Sequence, residues 1–252
     1  MVKNWGIRGD VATSLSPMAT AFYTGTDTYV ELAKLSGSST LSSVPQSTLY
    51  TALQNLMVTK HSTITSYDDV RYLFAFTDCE RADSTTLSLF YCGENVSSTW
   101  NGNTMNREHC WPKSKTTGSS GTTTVDADIM TLRPTKPSNN TTRDNDPYGT
   151  ASGSFFPNTF ANSKYDLRGD CARIVLYTYV RWGETNLTSV IDSVDLLLSW
   201  IAIDPVDTWE LARNDSVESI TGTRNVFVDY PQLAFLLFGE EVPANLTVPS
   251  AS

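Results

Sequence analysis

A chain of 252 residues with 40% apolar side chains can build one large domain or two small ones, and its 11% aromatic content argues against disorder. No run of about 18 apolar residues occurs, which excludes a bilayer-spanning helix. The formal charge of −9 is the wrong sign for a general polyanion binder, and four cysteines without short paired spacings exclude the common zinc sites.

The opening Met1-Val2-Lys3-Asn4-Trp5-Gly6 lacks the apolar centre of a signal peptide. That leaves a cytosolic protein, or an exported one whose leader is removed; richness in Ser and Thr with few lysines favours export. Residues 1–46 are Ser-, Thr- and Gly-rich and only weakly periodic. Tyr50, Leu53, Leu56 and Met57 recur at helical spacing, predicting an amphipathic helix that ends near Lys60-His61. After Asp68-Asp69, the segment 70–76 reads as a short helix or a buried strand. Residues 87–92 alternate as a strand does, and 115–124 should form a surface loop. From residue 170 onward, Ala172, Val175, Leu176 and Tyr179 predict a helix with one apolar face. A second helix, over 191–200, is apolar enough to lie deep in the core. Asp204-Pro205 then reads as a helix cap followed by a helix-starting proline. No repeat or linker interrupts the chain, so a single domain over 1–252 is expected, ending in a solvated tail over 243–252.

Chemistry concentrates in Asn106-Arg107-Glu108-His109-Cys110-Trp111-Pro112-Lys113-Ser114, because only two histidines exist and the other, His61, has no acidic or amide cluster around it. From Arg107 to Arg143, six basic residues (Arg107, Lys113, Lys115, Arg133, Lys136, Arg143) face three acidic ones (Glu108, Asp126, Asp128). This is a basic island on an acidic body. A neutral imidazole suits a general base near pH 7, and a carboxylate with an amide oxygen suits Mg²⁺. An adjacent Glu-His pair alone also fits a structural hydrogen bond. Downstream, Asn140 and Arg143 stand three apart, on one face if that segment is helical.

Several blocks in fixed order together resemble the endonuclease I family, whose active site is of the ββα-metal (His-Me finger) type. They are Asn106-Arg107-Glu108-His109 with Trp111-Pro112-Lys113-Ser114, Leu132-Arg133-Pro134, residues 140–149, and Arg168-Gly169-Asp170-Cys171-Ala172-Arg173-Ile174. Trp200, Asp204-Pro205-Val206-Asp207, Glu210, Arg213-Asn214 and residues 222–231 follow. Together with the Ser66-Tyr67-Asp68-Asp69-Val70 region, the likeness spans about 45–240, leaving 1–44 as an N-terminal extension. It implies an α+β fold, a mixed helical domain carrying the ββα-metal motif. It further implies His109 as general base, Glu108 and Asn140 as metal ligands, and Arg143, or one of Arg133 and Arg224, at the phosphate. Mg²⁺ would be the cofactor, with Mn²⁺ or Ca²⁺ in its place. The substrate would be DNA, with RNA as a further substrate, cut without sequence preference to 5′-phosphate ends by a secreted, periplasmic or cell-surface enzyme needing no protein partner.

The chain departs from the family pattern in places. Met130 and Thr131 stand where members usually carry His and Asn, and Tyr230 where they carry His. Cys110 and Cys171 both replace a usual Val, which suggests that they touch, and so predicts Cys110–Cys171 and Cys79–Cys92 disulfides. Two other readings stand beside the enzyme: a nucleic-acid-binding module that lost turnover through Met130 and Thr131, and a Ser/Thr-rich adhesion protein without phosphate chemistry.

Overall fold

Helix boundaries follow local signals in the sequence. The computed structural model describes residues 1–27, 30–31, 46–82, 85–117, 125–160 and 165–250. In chain order these include α1 (Pro17–Phe22), α2 (Gln46–Lys60), α3 (Val70–Thr77), β1 (Thr86–Ser88), β2 (Asn95–Ser97), β3 (Asn106–His109) and β4 (Leu132–Thr135). Then come α4 (Pro137–Arg143), α5 (Arg168–Arg181), α6 (Val194–Ile203), α7 (Thr208–Thr221), α8 (Val226–Asp229) and α9 (Gln232–Phe238). The fold is α+β: two small antiparallel pairs, β1–β2 and β3–β4, are embedded among helices. No described helix is long and apolar enough to cross a membrane.

The central helix is α5, with every residue except Arg168 and Tyr179 buried. A helix buried nearly all round must sit inside the helical layer rather than on it. It packs on α6 and α2. The expected single apolar face therefore understates its burial, because its polar face is matched by partners: Arg173 Nε donates to Glu210 Oε1 at 2.7 Å, and Tyr177 Oη to Asp128 Oδ2 at 2.8 Å. Uncompensated, such groups would cost several kcal/mol each, on the order of an unpaired buried charge.

Several expectations shift by a few residues. The helix placed over 191–200 begins at Val194, because the Ser193 side chain accepts from Leu196 N as its cap. Asp204 ends that helix instead of starting the next. The cap of α7 is Asp207, whose Oδ1 accepts from Glu210 N at 2.8 Å. At the far end of α7, Gly222 takes φ +82°, and a Cβ there would meet Lys60 O at 2.4 Å, so only glycine fits. Residues 70–76 are helical, and the strand expected over 87–92 shrinks to β1 because the chain turns at Phe90-Tyr91. There Phe90 N donates to Pro134 O. The loop expected over 115–124 lies mostly outside the described residues.

Both chain ends are tied down. Asn4 is fully buried, its amide donating to Thr77 O and Trp209 O. The closing residues are not a solvated tail: Ser250 N donates to Thr13 O at 3.0 Å and Leu15 N to Ser250 O at 2.8 Å. All four cysteines are free thiols, so neither expected disulfide forms. Cys79 Sγ instead donates to Asn4 O. Cys110 and Cys171 both hydrogen-bond Tyr148 and lie wholly buried. Burial pushes Cys110 up to about 12, which keeps it an unreactive thiol.

Candidate active site

β3 and β4 pair with Glu108 opposite Arg133 and His109 opposite Leu132, and α4 follows β4 after one residue. Pro137 opens α4, its missing N–H falling where a helix has no internal acceptor for it. This ββα unit brings Arg107, Glu108 and His109 from β3, and Asn140 and Thr141 from α4, to one open cavity of about 490 Å³. Pro112, Lys113, Asp144 and Asn145 complete its lining. Asp144 closes α4 with φ +48°, an uncommon backbone state that Asp tolerates better than most residues.

Adjacent strand residues point to opposite faces, so Glu108 and His109 meet different partners. His109 stacks on Tyr67, with ring centroids 5.4 Å apart and planes 20° from parallel. Its Nε2 lies 3.0 Å from the backbone carbonyl of Asp126. A carbonyl can only accept, so Nε2 carries the proton in the neutral ring, and among the described residues nothing engages the Nδ1 lone pair. Burial lowers the His109 pKa, outweighing the opposite pull of the Asp126 carbonyl and carboxylate, and so favours the neutral ring. A neutral ring held in this way can accept a proton at Nδ1.

Glu108 is only 2% exposed. Its Oε1 accepts from Tyr91 Oη at 2.8 Å and faces Arg143 Nε at 3.3 Å. Burial nevertheless pushes its pKa up to about 7, against the downward pull of Arg143 and Tyr91. A buried carboxylate raised this far invites a compensating cation. Hydrogen bonds among the described residues engage Oε1 alone, and none engages the Asn140 side chain. A carboxylate and an amide oxygen on one wet cavity fit a hard divalent ion that keeps most of its waters. No cluster of three or more His, Cys, Asp or Glu occurs among the described residues; Asp144 and Asn145 line the same cavity as Glu108 and Asn140.

The three candidate arginines divide differently from the expectation. Arg143 is buried and committed: besides Glu108, it donates to Cys110 O at 3.2 Å and Asp144 O at 2.8 Å. It holds the Glu108 carboxylate from behind and does not line the cavity. Arg133 shares buried Asp78 with Arg213, at 3.3 and 3.1 Å. Arg224 is fully buried against Asp215, Glu218 and Asp229 at 2.6–2.8 Å. Neither Arg133 nor Arg224 reaches the site. Replacing Arg224 with Met strands buried carboxylates and should cost about 3–5 kcal/mol; thermal melts should show the loss while cleavage per folded molecule persists.

The basic island is correspondingly thinner than its sequence count. Lys113 pairs with Asp126 at 3.4 Å, Lys136 with Glu94 at 2.7 Å, and Lys115 Nζ donates to Ser189 O. Among its six basic residues, only Arg107 and Lys113 line the cavity. Sequence reasoning missed Arg107 and the ring beneath it, Tyr67. The signal was there: on a strand, residue 107 shares a face with 109.

Met130 and Thr131 lie off the cavity. Met130 Sδ rests 4.0 Å from Arg213, and Thr131 Oγ1 donates to the carbonyls of Val125 and Asp128, tightening the turn into β4. His61 is also structural: its Nδ1 accepts from Arg181 Nε at 3.1 Å and it packs on Trp182.

The family model for endonuclease I matches residues 24–232, a span that contains the whole ββα unit. An extracellular ribonuclease of Bacillus subtilis (strain 168) is 29% identical over 238 residues, covering 84% of this chain and 78% of that protein. An extracellular ribonuclease of Bacillus amyloliquefaciens is 30% identical over 195 residues, covering 67% of each.

Proposed function

The chain belongs to the endonuclease I family and is a nuclease; from that premise we propose that it is a secreted, Mg²⁺-dependent endonuclease that hydrolyses RNA and DNA without sequence preference and leaves 5′-phosphate ends. The observation that carries this reading is the convergence of Glu108, Asn140 and a His109 with free Nδ1 on one cavity. RNA as a substrate, and secretion, draw support from the two extracellular ribonucleases to which the chain is similar. DNA is included because the base acts on water and needs no 2′-hydroxyl.

His109 Nδ1 takes a proton from water, and the carbonyl of Asp126 steadies the imidazolium through Nε2–H. Tyr67 keeps the ring aligned from one side. Glu108 and Asn140 would hold the divalent ion, which supplies charge neutralisation at the phosphate and the leaving oxygen. Tyr91 and Arg143 fix the Glu108 carboxylate in its rotamer. Displacement of the 3′-oxygen by water yields the 5′-phosphate. Contacts to phosphate rather than to base edges carry no sequence information, hence the tolerance of sequence.

The test is degradation of plasmid DNA and of a structureless RNA with Mg²⁺, with EDTA, and with EDTA followed by excess Mg²⁺. Loss and return of cleavage on both substrates is expected. Cleavage that persists in EDTA would remove the metal, and an intact plasmid beside degraded RNA would narrow the enzyme to a ribonuclease.

A further inference from the structure

Arg133, Arg143 and Arg224 are each buried and already paired, which leaves the cavity needing a cation for the phosphate from elsewhere. Lys113 is one lining cation, but it is 62% exposed and leans on Asp126. Arg107 is the other, and its placement is built. Its guanidinium lies 3.5 Å over the Tyr67 ring and 5.6 Å from that of Trp100. Nη1 donates to Tyr67 O at 2.6 Å and reaches Asp68 Oδ1 at 3.4 Å. These contacts all fall on one nitrogen, so within the described residues Nε and Nη2 stay unengaged while the side chain lines the cavity. Arg107 also shares its strand face with His109, roughly 6.6 Å away along the chain, and both side chains lie on Tyr67.

We propose that Arg107, held over the Tyr67 ring, grips a non-bridging oxygen of the scissile phosphate beside His109. A planar fork matches two phosphate oxygens where an ammonium offers only a point charge. Fixing the guanidinium before substrate arrives removes most of the entropy cost of ordering it in the complex. The partner is the phosphodiester itself, so DNA and RNA are gripped alike. The proposal rests on His109 acting as the base in the same cavity.

Two readouts test it on the intact protein: affinity for a single-stranded 12-mer in EDTA as a function of salt, and single-turnover cleavage in Mg²⁺. Arg107→Ala should lower the cleavage rate about 10²–10³-fold, as loss of one oxyanion donor does. It should also reduce the slope of log affinity against log salt by about 0.7, the value for one single-strand phosphate contact. Arg107→Lys, which keeps a charge over Tyr67, should restore the slope while remaining at least about tenfold slow. A folded Arg107→Ala protein with wild-type slope overturns the proposal, even if cleavage is impaired, because the residue would then act on the fold alone. Should Arg107→Ala fail to fold, Arg107→Lys cleaving at the wild-type rate overturns it instead. If wild type binds with an Arg107-dependent slope but never cleaves, the nuclease chemistry assigned to His109 fails and the phosphate grip stands.

Discussion

Replacing His109 with alanine should lower single-turnover cleavage by about 10²–10⁴-fold, the usual contribution of a positioned general base, with no loss of metal affinity. The ring is aligned by Tyr67 and the Asp126 carbonyl, and it touches neither Glu108 nor Asn140 through any hydrogen bond among the described residues. Exogenous imidazole should restore part of the rate, because the substitution empties a slot beside the cavity. A smaller catalytic loss than tenfold would show that water is activated by another group.

Glu108→Gln should act in the opposite sense on stability and on activity. Activity should fall by at least about 10³-fold, since the buried carboxylate proposed to hold the ion is lost. Stability should rise at alkaline pH. The folded pKa of Glu108 is raised to about 7 by burial, above the ordinary 4.5. A raised carboxylate contributes fully below the unfolded value, and that contribution is lost as pH climbs through the folded one. At pH 8 the metal-free wild type therefore carries a buried charge that glutamine relieves, by about 1–3 kcal/mol at most. Thermal melts in EDTA should favour the variant at pH 8 and converge near pH 4.5. Melts that favour wild type at pH 8 would mean that the Arg143 pairing outweighs burial.

The same shift sets the pH dependence of cleavage. Proton and metal ion compete for Glu108, so activity should fall as pH drops through about 7. Raising Mg²⁺ should move that limb to lower pH. A limb that ignores Mg²⁺ would belong to His109 instead, whose pKa is lowered from its ordinary value by burial.

Much of the site was legible because its signals are local. Glu108 and His109 are neighbours, Asn140 sits in a helix opened by Pro137, and strand alternation gives Glu108 and His109 different partners without further information. The arginines were not legible, because charge reads the same in a sequence whether it faces solvent or Asp78. Only the fold decides that Arg133 and Arg224 are spent in the core while Arg107 reaches the cavity. The Asp204-Pro205 signal failed for a related reason: Asp207 offers the same cap chemistry three residues later, and packing selects it. The paired departure from valine suggested that Cys110 and Cys171 touch; both do converge on Tyr148, as separate thiols. The closing segment was misread as a solvated tail because its polar, weakly periodic residues are held by backbone hydrogen bonds such as Ser250 N to Thr13 O, which leave no trace in side-chain pattern.

The proposed mechanism divides the ion's ligands from the base. It is tested most directly by titrating Mn²⁺ into wild type, His109→Ala, Glu108→Gln and Asn140→Ala and measuring affinity by calorimetry beside cleavage. Wild-type Mn²⁺ affinity in His109→Ala, with affinity lost by about tenfold or more in the other two and cleavage lost in all three variants, is the predicted result. Unchanged affinity in Glu108→Gln and Asn140→Ala, or loss of the ion in His109→Ala, would contradict it.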